Sequence, residues 1–250
     1  MAPRAMAETV ERTTHDVRLT SAGAALLEAG RPALAAAEAA FAAAREAGRG
    51  LTGTIRVGVS PAVSPLDRQE VVDVLRRGAP EVSVSLLEVR PRDVRRLLRA
   101  RELDLVLART SDDGPDVDSA ALRPTPAVLY VPVGHRLAGG EPVALAALDG
   151  ERLLTWSPRG TAFTDLLLTR LAAAGAQVEP VESRVTGSTG LAELAERDAV
   201  ALMPAGWPPA DDVAQVALAD DVTLPLLVLW PTGVPSAAVR RVRESMARAG

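Results

Sequence analysis

The chain has 250 residues, 48% apolar and only 2% aromatic, so its core must be aliphatic and is large enough for one large or two modest domains. Its formal charge is −4 and its 28 basic residues are all arginine, a balance that draws the chain as a whole neither to nucleic acid nor to an anionic membrane. The lack of cysteine excludes disulfides, thiolate nucleophiles and Cys-ligated zinc, and the two histidines, His15 and His135, are too few and too far apart for a His-rich metal site.

Residues 1–11 are polar and irregular and are expected to fray. They hold no apolar stretch behind a basic start, so no signal peptide is read there. Apolar runs elsewhere are strand-length and broken by proline or charge, which argues against a membrane span and leaves the cytoplasm as the default location. Val17-Arg18-Leu19 is a short extended piece, and Thr20 is a candidate N-cap whose hydroxyl accepts a first-turn N–H. Residues 21–47 are rich in Ala and Leu and predict a long helix. Leu27, Leu34 and Phe41 fall seven apart, with Gly30, Ala37 and Ala44 three residues after each. That spacing fits a dimerising heptad seam of alternating large and small residues, and it also fits one face of a core-packed helix. Pro32 lacks an N–H and crowds the preceding turn, so a kink or break is expected there.

From residue 54 the pattern alternates. Residues 54–60 (TIRVGVS), 82–89 and 103–108 read as strands, separated by amphipathic helices at 68–77 and 92–100. This β-α-β-α-β run implies a parallel sheet with helices on its faces. Pro124 and Pro126 precede another strand at 127–133. Strands at 153–156, 181–185, 199–203 and 224–230 then alternate with helices at 161–174, 191–197 and 236–249. Two such units joined by proline-rich crossings predict two lobes with a cleft between them.

Gly48, Gly50 and Gly53 match GxGxxG, but they follow a helix and precede a strand, the reverse of a dinucleotide site, and read as a flexible linker. Ser60-Pro61-Ala62 lies where the first strand ends, the edge at which open α/β sheets bind ligands and helix N-termini offer free N–H groups to anions. The turns Ser157-Pro158-Arg159-Gly160-Thr161 and Thr186-Gly187-Ser188-Thr189-Gly190 repeat that arrangement later in the chain. Their convergence predicts a cleft for a small anionic or polar ligand. Arg109, directly after the third strand, either forks onto a ligand carboxylate or pairs with Asp112 or Asp113 at the surface. Arg92, Arg95, Arg96 and Arg99 share one helical face opposite Val94, Leu97 and Leu98, which reads as a solvated face. No GxSxG elbow accompanies His135, so it is given no catalytic role.

These residues resemble a known family. RTTHDVRLTSAG (12–23) is similar to the wing segment of the winged helix-turn-helix of LysR-type transcriptional regulators, and the Ala-rich helix after it resembles that family's dimerising linker helix. GTIRVGVSP, ARELDLVLAR, GHRLA, VALAALDGERLLTW and AVALMP resemble successive segments of the family's effector domain, in order. The resemblance implies a two-lobe, periplasmic-binding-protein-like (type 2) α/β domain behind a long N-terminal helix. It implies a small-molecule effector in the interlobe cleft, a homo-oligomer and DNA binding at the level of the family. By position, cleft contacts fall on Ser60, Ala62, the loop at Pro91, Arg109, Thr161, Ser188 and Thr189. Two departures stand out. The helices that precede the wing in that family do not fit into the eleven residues before Arg12, so specific duplex binding is not expected of this chain as it stands. The loop where the family often has Gly-Thr or Gly-Ser reads Val89-Arg90-Pro91.

The resulting expectation is a non-enzymatic effector-sensing regulator without metal or cofactor. Its divisions are a wing remnant (1–20), a linker helix (21–50), a first lobe (51–126), a second lobe (127–226) and a return to the first lobe (227–250). A solute-binding protein, or less readily an enzyme, on the same fold is the alternative.

Overall fold

The computed structural model describes residues 10–12, 17–49, 53–78, 80, 82–111, 114–185, 187–208, 210–233 and 235–246; within these, the side chains at 10–12, 17–18, 38–39, 41–49, 53, 78 and 187–189 lie outside the description. Strands β1 (Val10–Arg12) and β2 (Val17–Leu19) pair antiparallel, Val10 opposite Leu19. Val10 and Glu11 are therefore extended where an irregular flank was expected, because the second Val-containing strand supplies a partner. Helix α1 (Ser21–Arg49) begins behind Thr20, whose hydroxyl accepts the Gly23 amide at 3.0 Å. It runs unbroken through Pro32, which overturns the expected break. The alanine-rich turns on both sides carry enough helix propensity to continue past one missing N–H.

The first lobe is built from β3 (Gly53–Val59), α2 (Pro65–Gly78), β4 (Val82–Glu88), α3 (Pro91–Arg99) and β5 (Leu105–Ala108). β3 pairs parallel with both β4 and β5, as the alternating pattern requires. β6 (Val117–Pro132) is one 16-residue strand rather than a strand starting after the prolines. Pro124 and Pro126 are accommodated because β6 runs antiparallel to a later strand whose own Pro225 faces Pro124, beside a register shift at Leu226/Leu227.

The second lobe holds β7 (Arg152–Thr155), α4 (Ala162–Ala173), β8 (Glu179–Glu182), a 3₁₀ turn at Gly187–Ala192, α5 (Glu193–Arg197), β9 (Ala201–Pro204) and β10 (Val213–Val216). β9 and β10 pair antiparallel with the far end of β6. β11 (Thr223–Pro231) returns along β6 to β5, and α6 (Ala237–Met246) closes on α2. β6 and β11 thus cross from one lobe to the other as an antiparallel pair. Buried clusters sort the same way. Val57, Leu75, Leu105, Leu226 and Val239 share one core, and Leu129, Leu153, Leu171, Leu202 and Leu224 share another. Among the described residues no helix is long and apolar enough to cross a membrane.

Candidate functional site

The turn after β3 is fixed by the backbone. The Ser60 amide continues the sheet by donating to the Leu107 carbonyl at 2.9 Å, and Val63 donates to the Ser60 carbonyl at 3.0 Å. Ser64 then caps α2: its hydroxyl accepts the Asp67 amide at 3.1 Å and donates to the Asp67 carboxylate at 2.7 Å. Ser60, only 8% exposed, has no hydrogen-bond partner for its hydroxyl among the described residues.

Arg109 follows β5, as the sequence places it, but it turns inward. It is 1% exposed. Its fork donates to the Asp67 carboxylate, to Thr125 Oγ1 at 2.9 Å and to the Ala62 carbonyl at 3.2 Å, with the Leu224 and Pro225 carbonyls each at 3.4 Å. Arg123 holds the other Asp67 oxygen at 2.7 Å and reaches Glu70 at 2.8 Å. Burial lowers the pKa of Arg109, and the Asp67 carboxylate opposes that shift. The observed partner is Asp67; Asp112 and Asp113 lie outside the described residues. With its donors taken by the protein, the guanidinium ties α2 to the crossing strands and faces no cleft.

Between the lobes the cleft has two parts. A tight inner slot of about 20 Å³ is lined by Ser60, Ala62 and Pro91 on one side and by Thr155, Trp156, Phe163 and Thr164 on the other. It opens into a vestibule of about 320 Å³ lined by Arg90, Pro91 and Arg92 against Trp156, Thr161, Glu182 and Arg184. The Thr161 hydroxyl donates to the Pro158 carbonyl at 2.7 Å, and Thr164 donates to the Ser157 carbonyl at 2.9 Å, so both hydroxyls hold the turn before α4. Trp156 stacks on Trp207 with ring centroids 6.3 Å apart. The loop carrying Arg184 is pinned by Glu193, which accepts the Ser183 hydroxyl at 2.8 Å and the Arg184 and Val185 amides at 2.9 and 3.1 Å. Burial would raise the Glu193 carboxyl, but those bonds and Arg197 outweigh it and leave its pKa below the ordinary value.

The structure therefore brings Ser60, Ala62, Pro91 and Thr161 to one cleft and takes Arg109 away from it. The side chains of Ser188 and Thr189 lie outside the described residues, as does that of Phe41. Leu27 and Leu34 are 44% and 64% exposed on α1. The arginines of α3 are solvent-facing, with Arg96 near Glu102 and Arg99 near Asp116, as the solvated reading expects. His135 sits 3.3 Å from Glu151, whose carboxylate also pairs with Arg136. Asp67 and Trp156 escaped the sequence reading. Ser64-x-x-Asp67 is a legible capping pattern, and a rare aromatic at a strand end is a legible cleft signal.

Residues 48–250 match the LysR substrate binding domain, so the chain belongs to that family. Among curated proteins it is 26% identical to the hydrogen peroxide-inducible genes activator of Dickeya chrysanthemi over 145 residues, 58% of this chain and 48% of that one. It is 27% identical to the HTH-type transcriptional regulator ShiR of Corynebacterium glutamicum (strain R) over 146 residues, 58% of this chain and 50% of that one. The chain thus spans about half the length of the curated relatives it matches, which are regulators of transcription rather than enzymes. Its fold is that of CbnR, a LysR family transcriptional regulator, at a TM-score of 0.71 and 22% identity, covering 92% of this chain and 81% of CbnR. It is also that of the BenM effector binding domain with its effector benzoate, at a TM-score of 0.64 and 18% identity, covering 80% and 93%.

Proposed function

We propose that this chain is the effector-sensing part of a cytoplasmic LysR-type transcriptional regulator, and that a small carboxylate seats in the interlobe cleft. One observation carries the reading: the Ser60 hydroxyl, nearly buried and without a partner among the described residues, lines the slot where the two lobes meet. Its oxygen is not sealed in the core but open to the slot, so it is free to bond a ligand there. The solved relative's effector, benzoate, is itself a carboxylate, which supports the ligand class. These 250 residues contain no cysteine, so no signal is read within them by thiol oxidation. The divisions at 51–126, 127–226 and 227–250 are part of this reading; the sorting of the buried clusters supports them except at Leu226, which packs with the first lobe. Ligand contacts by Ser188 and Thr189 remain part of the proposal.

A thermal-shift screen of organic acids tests the reading. A carboxylate that stabilises the wild type should bind Ser60→Ala more weakly by about 0.5–1.5 kcal/mol, the net worth of a hydrogen bond. Equal stabilisation of both proteins would put the ligand elsewhere. Oligomerisation along Leu27, Leu34 and Phe41 is part of the same reading, and an unchanged solution mass for Leu34→Asp/Phe41→Asp would remove the seam. Specific retardation of a promoter fragment by this chain would contradict the expectation that the wing alone supplies no groove readout.

A further inference from the structure

The two parts of the cleft differ in chemistry as well as size. The inner slot, about 20 Å³, holds little more than one water-sized group. The vestibule, about 320 Å³, falls at the lower end of small-molecule sites. Three arginines line it from both lobes, Arg90 and Arg92 on one side and Arg184 on the other, against one lining carboxylate, Glu182. Arg90 and Arg184 have no ion-pair partner among the described residues, and Arg92 reaches only Asp93, at 3.9 Å with its own side chain 74% exposed. Helices α3 and α4 also begin at this cavity. Neither N-cap residue, Arg90 or Thr161, bonds its side chain to the first turn it precedes. Asp93 and Asp165 sit in the first turns of these helices and offset their end charge, so the positive excess at the cavity comes from the arginines. Pro91, Trp156 and Ser157 line both the vestibule and the slot, so buried, unpartnered Ser60 stands at the inner end of one continuous cleft.

From this we infer that the effector is a two-ended anion. One carboxylate end points a single oxygen into the slot toward Ser60. A second anionic group, carboxylate or phosphoryl, is held in the vestibule by Arg90 and Arg184, which set specificity for two-ended over one-ended acids. This rests on the cleft reading above, and the test separates the two.

The test uses the whole chain as wild type, Arg90→Gln/Arg184→Gln and Ser60→Ala. Trp156 is half-buried in the cleft, whereas Trp207 and Trp230 are 5% and 6% exposed, so collisional quenching reports mainly on Trp156. With each quenching constant taken as a ratio to that of free N-acetyltryptophanamide, iodide should quench the wild type more strongly than caesium, and the double arginine variant should lose that excess. Equal quenching by both ions in the wild type, or an excess that survives in the variant, overturns the inference. In parallel, Tm is followed with glutarate, adipate and 3-phosphoglycerate against butyrate and hexanoate at matched ionic strength. The two-ended acids should raise Tm more, the double arginine variant should reduce them to the level of the one-ended acids, and the more stabilising class identifies the second group. One-ended acids that stabilise as well, with the effect lost in Ser60→Ala, overturn the two-ended ligand while leaving the cleft reading standing. A shift from two-ended acids that neither variant changes removes both readings, and no shift from any acid overturns the two-ended ligand.

Discussion

Arginines do opposite work in two regions of this molecule. Behind the cleft, Arg109 is 1% exposed and its charge is met by Asp67, with Thr125 and main-chain carbonyls taking further donors. At the cleft mouth, Arg90 and Arg184 line an open cavity without an ion-pair partner among the described residues. A buried charge whose partner is removed is left uncompensated in a poorly solvated place, while an exposed one is hydrated whether or not it has a partner. The first region therefore bears on stability. The second has charge to spare for a ligand.

The sharpest way to break this contrast is Arg109→Ala. It should cost about 3–5 kcal/mol in unfolding free energy, read from urea denaturation, because Asp67 stays buried with only Arg123 and Ser64 to hold it. Arg90→Ala should stay within about 0.5 kcal/mol of the wild type in the same measurement. Near-native stability for Arg109→Ala combined with lost effector binding would exchange the roles of the two regions.

A second cut falls where the lobes touch. Gly206 has a φ of +101°, and a Cβ there would lie 2.7 Å from Leu66 Cβ, while the Gly206 carbonyl accepts the Leu66 amide at 3.3 Å. Gly206→Ala combines left-handed strain with a clash against α2 and should cost about 1–3 kcal/mol. Thermal melting of that variant against Gly160→Ala isolates the clash, since Gly160 shares the positive φ (+86°) with open space at its Cβ position.

The smallest effect concerns the loop that presents Arg184. The Glu193 carboxyl has a folded-state pKa below its ordinary 4.5, so its stabilisation is complete above that value and is lost as pH falls through the lowered one. Protection factors of the Arg184 and Val185 amides, with exchange normalised to its intrinsic rate at each pH, should therefore be high at neutral pH and fall in acid. Glu193→Gln should flatten that dependence. A profile identical to the wild type would mean that the loop is held by something else.

Much of this was legible in the sequence because it was local. The alternation of β-branched runs with amphipathic stretches marked β3 to β5, and the turns at 60–62 and 157–161 marked strand ends that meet at the cleft. What escaped was set by distant partners. Pro124 and Pro126 read as breaks, yet β6 passes through them because β11 offers Pro225 and a register shift opposite. β10 was missed because its four residues, VAQV, become a strand only by pairing with β6. The pairing of Arg109 depends on Asp67, 42 positions away, and no spacing rule links the two.

The two crossing strands also fix an order of assembly. The core of the first lobe includes Leu226 and Val228 of β11 and Val239, Val242 and Met246 of α6, whereas the buried residues clustered in the second lobe lie between Ala127 and Leu224. During synthesis β3, α2, β4, α3 and β5 emerge first and must wait for roughly 140 further residues, from Ala108 to Met246, before β11 and α6 complete their core, a delay of roughly 7–28 s at ribosomal rates. The lobe begun first is thus the last to be finished. During that interval β5, whose only partner so far is β3, lacks the β11 neighbour it will later have, an open sheet edge that a nascent chain must keep from other chains.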